Sequence, residues 1–218
     1  MGSEVSTGAG RTGRGQKQLQ TQRQTERRQA ILDGAFAVFA RRGYAQACVQ
    51  EIAGEAGVAK PTVYSHLADK ESLYREAVEA AAERVGVRAV AAVEPLRSAA
   101  AADAADLRAA LTSAAHALLL AICCQESRTV RQLACAQAVQ FPGLAAAVRE
   151  RVLLRPHAAL ADRTARLVLA GRLRPCDPDR AAEHLLALLT GPLEHRPDAD
   201  VREVAAEAVD VFLRAYGA

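Results

Sequence analysis

Between Lys60 and Lys70 the chain gathers Lys60, Pro61, Thr62, Tyr64, Ser65, His66 and Lys70, with no carboxylate from Lys60 to Ala68. Hydroxyls, an imidazole and ammonium groups without an acid among them donate hydrogen bonds and carry positive charge. They suit phosphate oxygens and base edges. The other reactive side chains are five cysteines, Cys48, Cys123, Cys124, Cys135 and Cys176. None forms a CxxC pair, and there is no HxxxH pair of the kind zinc sites use. His116 and Cys123 share a helical face, yet seven residues put them ~10 Å apart along the axis, too far for one ion. No phosphate-binding glycine loop, GxSxG, HExxH or carboxylate pair within an apolar stretch is present, so no enzyme, metal or cofactor is expected.

The donor-rich segment needs a scaffold, and its neighbours supply one. Ile52, Ala53 and Ala56 give a first short helix its apolar face, and Gly57 ends it by entering the left-handed region without a Cβ penalty. Val58 fills the angle that follows. Lys60 and Pro61 open a second helix, where a proline removes no hydrogen bond. Val63 and Leu67, four apart, are its buried stripe, and the polar tips take the other side. Two such helices around a tight turn form a helix-turn-helix, which presents the second helix to the major groove. Asp69 is placed to cap the next helix.

The wider pattern, Arg28, Ile31, Ala35, Phe39, Gly43-Tyr44, Val49, Ile52-Ala53, Ala56-Gly57-Val58, Thr62-Val63-Tyr64, His66, Lys70-Glu71 and Leu73, resembles the DNA-binding domain of the TetR family. The resemblance covers Arg27 to Arg75. It implies a dimeric, ligand-controlled repressor, with Lys60, Pro61, Thr62, Tyr64, Ser65 and His66 at a palindromic operator. Thr62, Tyr64, His66 and Lys70 would meet mainly phosphates, with Arg28 beside them, and Tyr44, a plug under the turn, either meets a phosphate through its hydroxyl or is a core tyrosine. Two departures stand out. Ala47-Cys48 and Ala59 occupy positions where the family carries capping hydroxyls, so the unit is expected to be locally soft and one phosphate contact short. Leu67 stands where the family prefers Phe.

Half of the 218 residues are hydrophobic and 4% are aromatic, so the core must be built from alanine, leucine and valine. That composition, with no alternating strand pattern, predicts an all-α fold. Net charge is +3, and the excess lies in one place. Residues 1–75 carry 11 Lys and Arg against 7 Asp and Glu, and residues 76–218 carry 17 against 18. Residues 1–24 are polar and basic and predict a disordered arm, either a terminus or a reach into a neighbouring groove. The stretch lacks the apolar core of a secretory signal, and with free thiols this predicts a cytoplasmic protein outside the membrane. Residues 25–75 are the DNA-binding domain, and residues 76–218 are the larger helical domain for effector binding and dimerisation.

In that larger domain a helix runs from Asp69 to about Val93 as the connector. From Asp103 to Cys124, Leu107, Leu111, Leu118 and Ile122 hold one face, and Ala114 to Cys124 turns apolar almost all round apart from His116 and is expected to be buried on every side. Ser127 opens the next helix, and Pro142 starts a long one that Pro156 divides. Asp177-Pro178 starts a helix that ends at Gly191-Pro192, and Asp200 caps the last. An apolar effector pocket is expected from His116, Leu119, Leu120, Cys123, Cys135, Val139, Phe141, Leu144 and Val148. The resemblance implies a four-helix dimer interface, assigned to Leu185, Leu188, Leu189, Val204, Ala208, Val211 and Phe212. The alternative is a thiol- or metal-responsive helical sensor or interaction protein using Cys123, Cys124 and Cys135, with weakened DNA binding.

Overall fold

The computed structural model describes residues 10–99, 104–196 and 198–218. The chain divides into two compact units, residues 1–77 and 78–218. Among the described residues all regular structure is helical, apart from one antiparallel bridge between Leu173 and Gly217.

The first unit begins with α1 (Gly10–Gln46), which breaks at Gly43, where φ is +71°. Then come α2 (Val49–Glu55), α3 (Lys60–His66) and the start of α4 (Lys70–Val93). Ile31, Leu32, Ala35, Val38 and Phe39 of α1 are buried at helical spacing and form its core with Ile52, Val63 and Leu73. Part of the expected disordered arm is helical instead. Residues 1–9 lie outside the described residues, but Gly10 to Gln24 continue α1. Gln, Lys and Arg are good helix formers, and extending a helix that is already packed needs no new nucleus. Gln22 donates to Glu26, and the Thr25 hydroxyl donates to the Thr21 carbonyl. The extension has no packing behind it, since residues 20–30 are all exposed.

The second unit contains the rest of α4, then α5 (Leu96–Ala99), α6 (Ala104–Ile122), α7 (Gln125–Ala136) and α8 (Pro142–Arg149). A π-turn (Glu150–Leu154) leads into α9 (Arg155–Leu169), followed by α10 (Pro178–His195) and α11 (Val201–Tyr216). Within it α6 packs on α11, α9 on α10, and α10 on α11. The Ala105–Ile122 stretch of α6 is long and apolar enough to cross a bilayer by length and composition. Its packing on α11 and α10 accounts for that composition in a folded core.

Sequence punctuation sets most boundaries. Asp177 caps α10 by accepting from the Asp179 and Arg180 N–H groups, and Asp200 caps α11 through Arg202 N–H. Pro156 cannot donate to the carbonyl four residues back, and the helix widens into the π-turn just before it. Two boundaries differ from expectation. Helix α7 starts at Gln125, not Ser127, because the Cys124 sulfur accepts from Ser127 N–H at 3.4 Å and acts as the cap. Helix α10 runs through Pro192 to His195, since a proline in a last turn removes only one bond and Arg196 N–H still reaches the Pro192 carbonyl.

Gly86 of α4 marks the tightest approach. A Cβ built there would lie 2.4 Å from the Arg151 carbonyl oxygen of the π-turn. Ion pairs flank this crossing, from Arg151 to Glu79 and Glu83 and from Arg155 to Glu83. Gly86→Ala is therefore expected to destabilise the protein by about 1–3 kcal/mol through overpacking. Gly54→Ala in α2, where nothing lies within 4 Å, should instead stabilise by about 0.5–1 kcal/mol. Urea denaturation of both variants checks the opposite signs.

Candidate nucleic-acid interface

Helix α3 is positioned by what surrounds it. Gly57, at φ +65°, turns the chain after α2, and the Val58 N–H reaches back to the Ala53 carbonyl at 2.9 Å. Ala59 is the N-cap residue and Pro61 occupies the first turn, where no N–H is needed. Val63 and Leu67 are buried at 1% and 4% exposure, which fixes the opposite side as the free one. That side carries Lys60, Pro61, Tyr64 and Ser65, all exposed, with Thr62 and His66 half-buried at its edges. The Ser65 hydroxyl donates to the Thr62 carbonyl at 2.8 Å. No acidic side chain interrupts the helix. The acids of the preceding helix, Glu51 and Glu55 of α2, pair with Arg42 and Arg41.

Three other residues expected at DNA are engaged with the protein itself. The Lys70 ammonium donates to the Ala45 carbonyl at 3.1 Å and sits 4.9 Å from the centre of the Tyr44 ring. Tyr44 packs against Tyr74 with centroids 5.0 Å apart, and Tyr74 meets Phe39 edge-on at 4.8 Å. Arg28 pairs with Glu76. Tyr74, absent from the sequence reading, is the largest fully buried side chain, and burial pushes its phenol up to about 12. Its only signal was an aromatic at helical spacing on a connector.

Both expected cap deficits are present, with one shift of position. Cys48 is the N-cap residue of α2, and its side chain makes no capping hydrogen bond. Ala47 is buried at 5% exposure, so a hydroxyl there would enter the core. The Gln50 and Glu51 N–H groups nonetheless pull the exposed Cys48 thiol below its ordinary pKa. Asp69 caps α4, accepting from Ser72 N–H at 2.7 Å, and that bond lowers its pKa.

The expected effector and dimer residues are rearranged by the second unit. Leu120, Cys135 and Val139 are exposed, Val139 completely, while Leu119, Leu144 and Val148 are closed into the core and His116 and Phe141 are half-buried. Helix α6 is thus not buried on every side. Cys123 alone of the nine lines a cavity of about 480 Å³, with Ile122, Arg128, Arg131, Thr190, Leu193 and Val201. These residues come from α6, α7, α10 and the start of α11. Of the seven expected interface residues, Leu185, Leu189, Val204, Ala208 and Phe212 are buried in the subunit's own core. Val211 and the half-buried Leu188, which also packs against that core, line an outward groove between α10 and α11 with Ala187, Phe212, Ala215 and Tyr216, and with Arg174 and His184 at its polar side. Periodicity marks an apolar stripe, and here its centre is spent on the internal core. The three cysteines considered for sensing do not converge. Cys123 faces the cavity, Cys124 caps α7, and Cys135 is exposed at the other end of α7, roughly 16 Å away at 1.5 Å per residue.

A short helix held across a glycine turn, presenting donors without acids and followed by a separate helical unit, defines a helix-turn-helix transcriptional regulator. Residues 31–77 match the bacterial regulatory proteins of the tetR family, and residues 109–218 match the C-terminal domain of AefR-like transcriptional repressors. The chain belongs to the TetR family. Its first domain is similar to the HTH-type transcriptional activator FasR of Mycolicibacterium smegmatis, 49% identical over 49 residues, 22% of each chain. The match therefore spans about a fifth of that relative. A TetR-family regulator from Mesorhizobium loti MAFF303099 superposes with a TM-score of 0.80 at 28% identity, over 90% of this chain and 99% of its own. The flavonoid-responsive regulator FrrA shares the fold, with a TM-score of 0.65 at 22% identity over 88% and 97% of the two chains.

Supplying the missing caps should stiffen this unit. Cys48→Ser and Ala59→Ser are each expected to stabilise it by about 1 kcal/mol. Hydrogen exchange of the α2 and α3 amides checks this, and unchanged protection in both variants would contradict it.

Proposed function

We propose that the protein is a ligand-responsive repressor that binds a palindromic operator as a homodimer. The observation that carries this reading is the α3 face, where Lys60, Pro61, Tyr64 and Ser65 are exposed while Val63 is locked into the core. Such a helix enters the major groove with its N-terminal side chains toward base edges. Thr62, Tyr64 and His66 serve phosphates. Lys70, Tyr44 and Arg28 act from behind, and Lys70 keeps donor capacity for a phosphate beyond its bond to Ala45. The match to an AefR-like repressor C-terminal domain favours repression over activation.

Dimerisation uses the outward groove of α10 and α11. A two-fold pairing through Leu188, Ala187, Val211 and Ala215 would place like surfaces together and present two α3 helices about 34–36 Å apart, one turn of DNA. A small effector in the second unit favours a conformer in which that spacing is lost, and it acts only through its differential affinity for the two conformers. Helix α4, whose residues run from the first unit into the second, transmits the change.

Fluorescence anisotropy on the DNA upstream of the protein's own gene, against scrambled duplex, tests DNA binding. Tyr64→Ala should weaken selective binding by about tenfold or more with little change in melting temperature, because the side chain is 46% exposed. Lys60→Gln should reduce the slope of log affinity against log salt by about 1. Equal affinity for scrambled duplex and operator candidates would sink the repressor reading. Sedimentation tests the dimer: the double variant Leu188→Asp and Val211→Asp should be a folded monomer, and a persistent dimer would show the interface to be elsewhere.

A further inference from the structure

We infer that the cavity at the meeting of α6, α7, α10 and α11 is a site for an organic carboxylate with an apolar body, and that this class supplies the effector. The inference rests on the ligand-responsive reading above and gives it a chemistry. Arg128 and Arg131 stand three residues apart on α7 and both line the cavity. Elsewhere in the second unit, arginines that cross between helices end on carboxylates. Arg84 and Arg88 share Glu126, Arg151 and Arg155 share Glu83, and Arg163 meets Glu94. Arg128 and Arg131 do not: among the described residues neither has a carboxylate partner, and the cavity lining contains no acid.

Arg131 is nonetheless held in place. One of its terminal nitrogens donates to the Ile122 carbonyl at 3.2 Å and to the Ser127 hydroxyl at 2.9 Å, both neutral acceptors. Among the described residues its remaining N–H groups have no protein acceptor. A guanidinium fixed on one edge and open on the other is arranged for a carboxylate, whose two oxygens match its fork. The Cys123 thiol cannot serve as the counter-charge. Burial pushes its pKa up, against the pull of Arg131 and Arg128, so it stays neutral near pH 7. The remaining wall is aliphatic, from Ile122, Leu193 and Val201. One cationic wall and one aliphatic wall around about 480 Å³ select a molecule with an anionic head and a short hydrocarbon or aromatic body.

The position of the site suits control. Glu126, in the first turn of the same helix as the two arginines, is the residue that Arg84 and Arg88 of α4 hold. Burial opposes its charge, yet those two guanidiniums keep its pKa below the usual carboxylate value. A ligand drawing α7 toward the cavity pulls on the same ion pairs that tie α7 to the connector. Leu193 and Val201 lie at the end of α10 and the start of α11, so the opposite wall belongs to the helices of the outward groove.

The test is isothermal titration of the full chain with sodium decanoate and with decan-1-ol, a neutral molecule of equal length. The expected result is that decanoate binds, decanol binds much more weakly, and the double variant Arg128→Gln and Arg131→Gln loses affinity for decanoate by about tenfold or more. The double variant Arg149→Gln and Arg202→Gln, two exposed sites with the same change of charge, should leave binding as it was. Leu193→Trp, which puts bulk into the cavity and leaves both arginines in the sequence, should also abolish binding and serves if the double variant does not fold. The proposal is overturned if decanoate does not bind, if decanol binds as tightly, if the arginine double variant keeps the affinity of the parent protein, or if binding survives in Leu193→Trp. Binding that meets these criteria while operator affinity stays constant would sustain the site and overturn ligand-controlled release.

Discussion

A seven-residue helix cannot hold itself together in water, because the bonds it forms do not repay the cost of its nucleus. Helix α3 is such a helix, and the first unit is organised by the need to hold it. Its only buried residue, Val63, and the following Leu67 fasten one side to the core, and this is what makes the other side available. Behind it Phe39, Tyr44 and Tyr74 form a compact aromatic group in a chain with 4% aromatic residues. Lys70 closes the group from above through the Tyr44 ring and the Ala45 carbonyl. Residues that look like phosphate ligands by type thus have prior employment in fixing the recognition helix, and the surface that remains is narrower than the motif. The bare caps at Cys48 and Ala59 leave two orphan N–H sets that tertiary packing must outweigh.

The second unit solves a different problem with little bulk. An alanine-rich core lets helices approach closely but specifies their register poorly, since small side chains interlock weakly. Gly86 against the Arg151 carbonyl is the extreme of that approach. Ion pairs supply register on both sides of it, from the π-turn and α9 to Glu79 and Glu83, and from α4 to Glu126. These pairs are partly buried at most, and solvent-accessible ion pairs add little stability each, so their worth lies in geometry. Arg163 is the exception, buried at 5% exposure with its Nε unpartnered while its terminal nitrogens reach Glu94 and Asp162. Its guanidinium holds the Glu94 carboxyl below the ordinary range and anchors the chain just after α4 to α9.

Local grammar was legible in the sequence, and global placement was not. Gly57, Asp69, Asp177 and Asp200 each act within three or four residues, so their effects could be read directly. Val63 and Leu67 were placed correctly because a one-and-a-half-turn helix has only two sides. The stripes of α10 and α11 are wider than one contact, and periodicity does not say which edge meets the subunit's own core. Leu189 is buried and Val211 is exposed, while Leu188 is half-buried and Phe212, though buried, also borders the groove. The cavity was invisible for a stronger reason. Arg128, Thr190 and Val201 are brought together by helix ends more than sixty residues apart in sequence, and no local pattern encodes such a meeting. Arginines at helical spacing beside an apolar segment read as a solvated face until the cavity behind them is known.

Magnitudes decide what such a cavity must contain if a ligand is to control DNA binding. Moving a two-state equilibrium from nearly all of one form to nearly all of the other takes about 5.5 kcal/mol of differential affinity. A single charge-assisted hydrogen bond contributes about 1.5–3 kcal/mol, and an exposed guanidinium such as Arg128 contributes less because solvent screens it. The cationic wall alone therefore falls short. Each methylene buried on the aliphatic wall adds about 0.8 kcal/mol, and only the part of that contact made in one conformer counts. Ile122 is fixed in the core, whereas Leu193 and Val201 sit at helix ends, where small displacements change contact most. On the proposed reading the head group would set which ligands enter, and closure of the α10 and α11 ends over the hydrocarbon would have to supply the discrimination between conformers that ligand-controlled release requires.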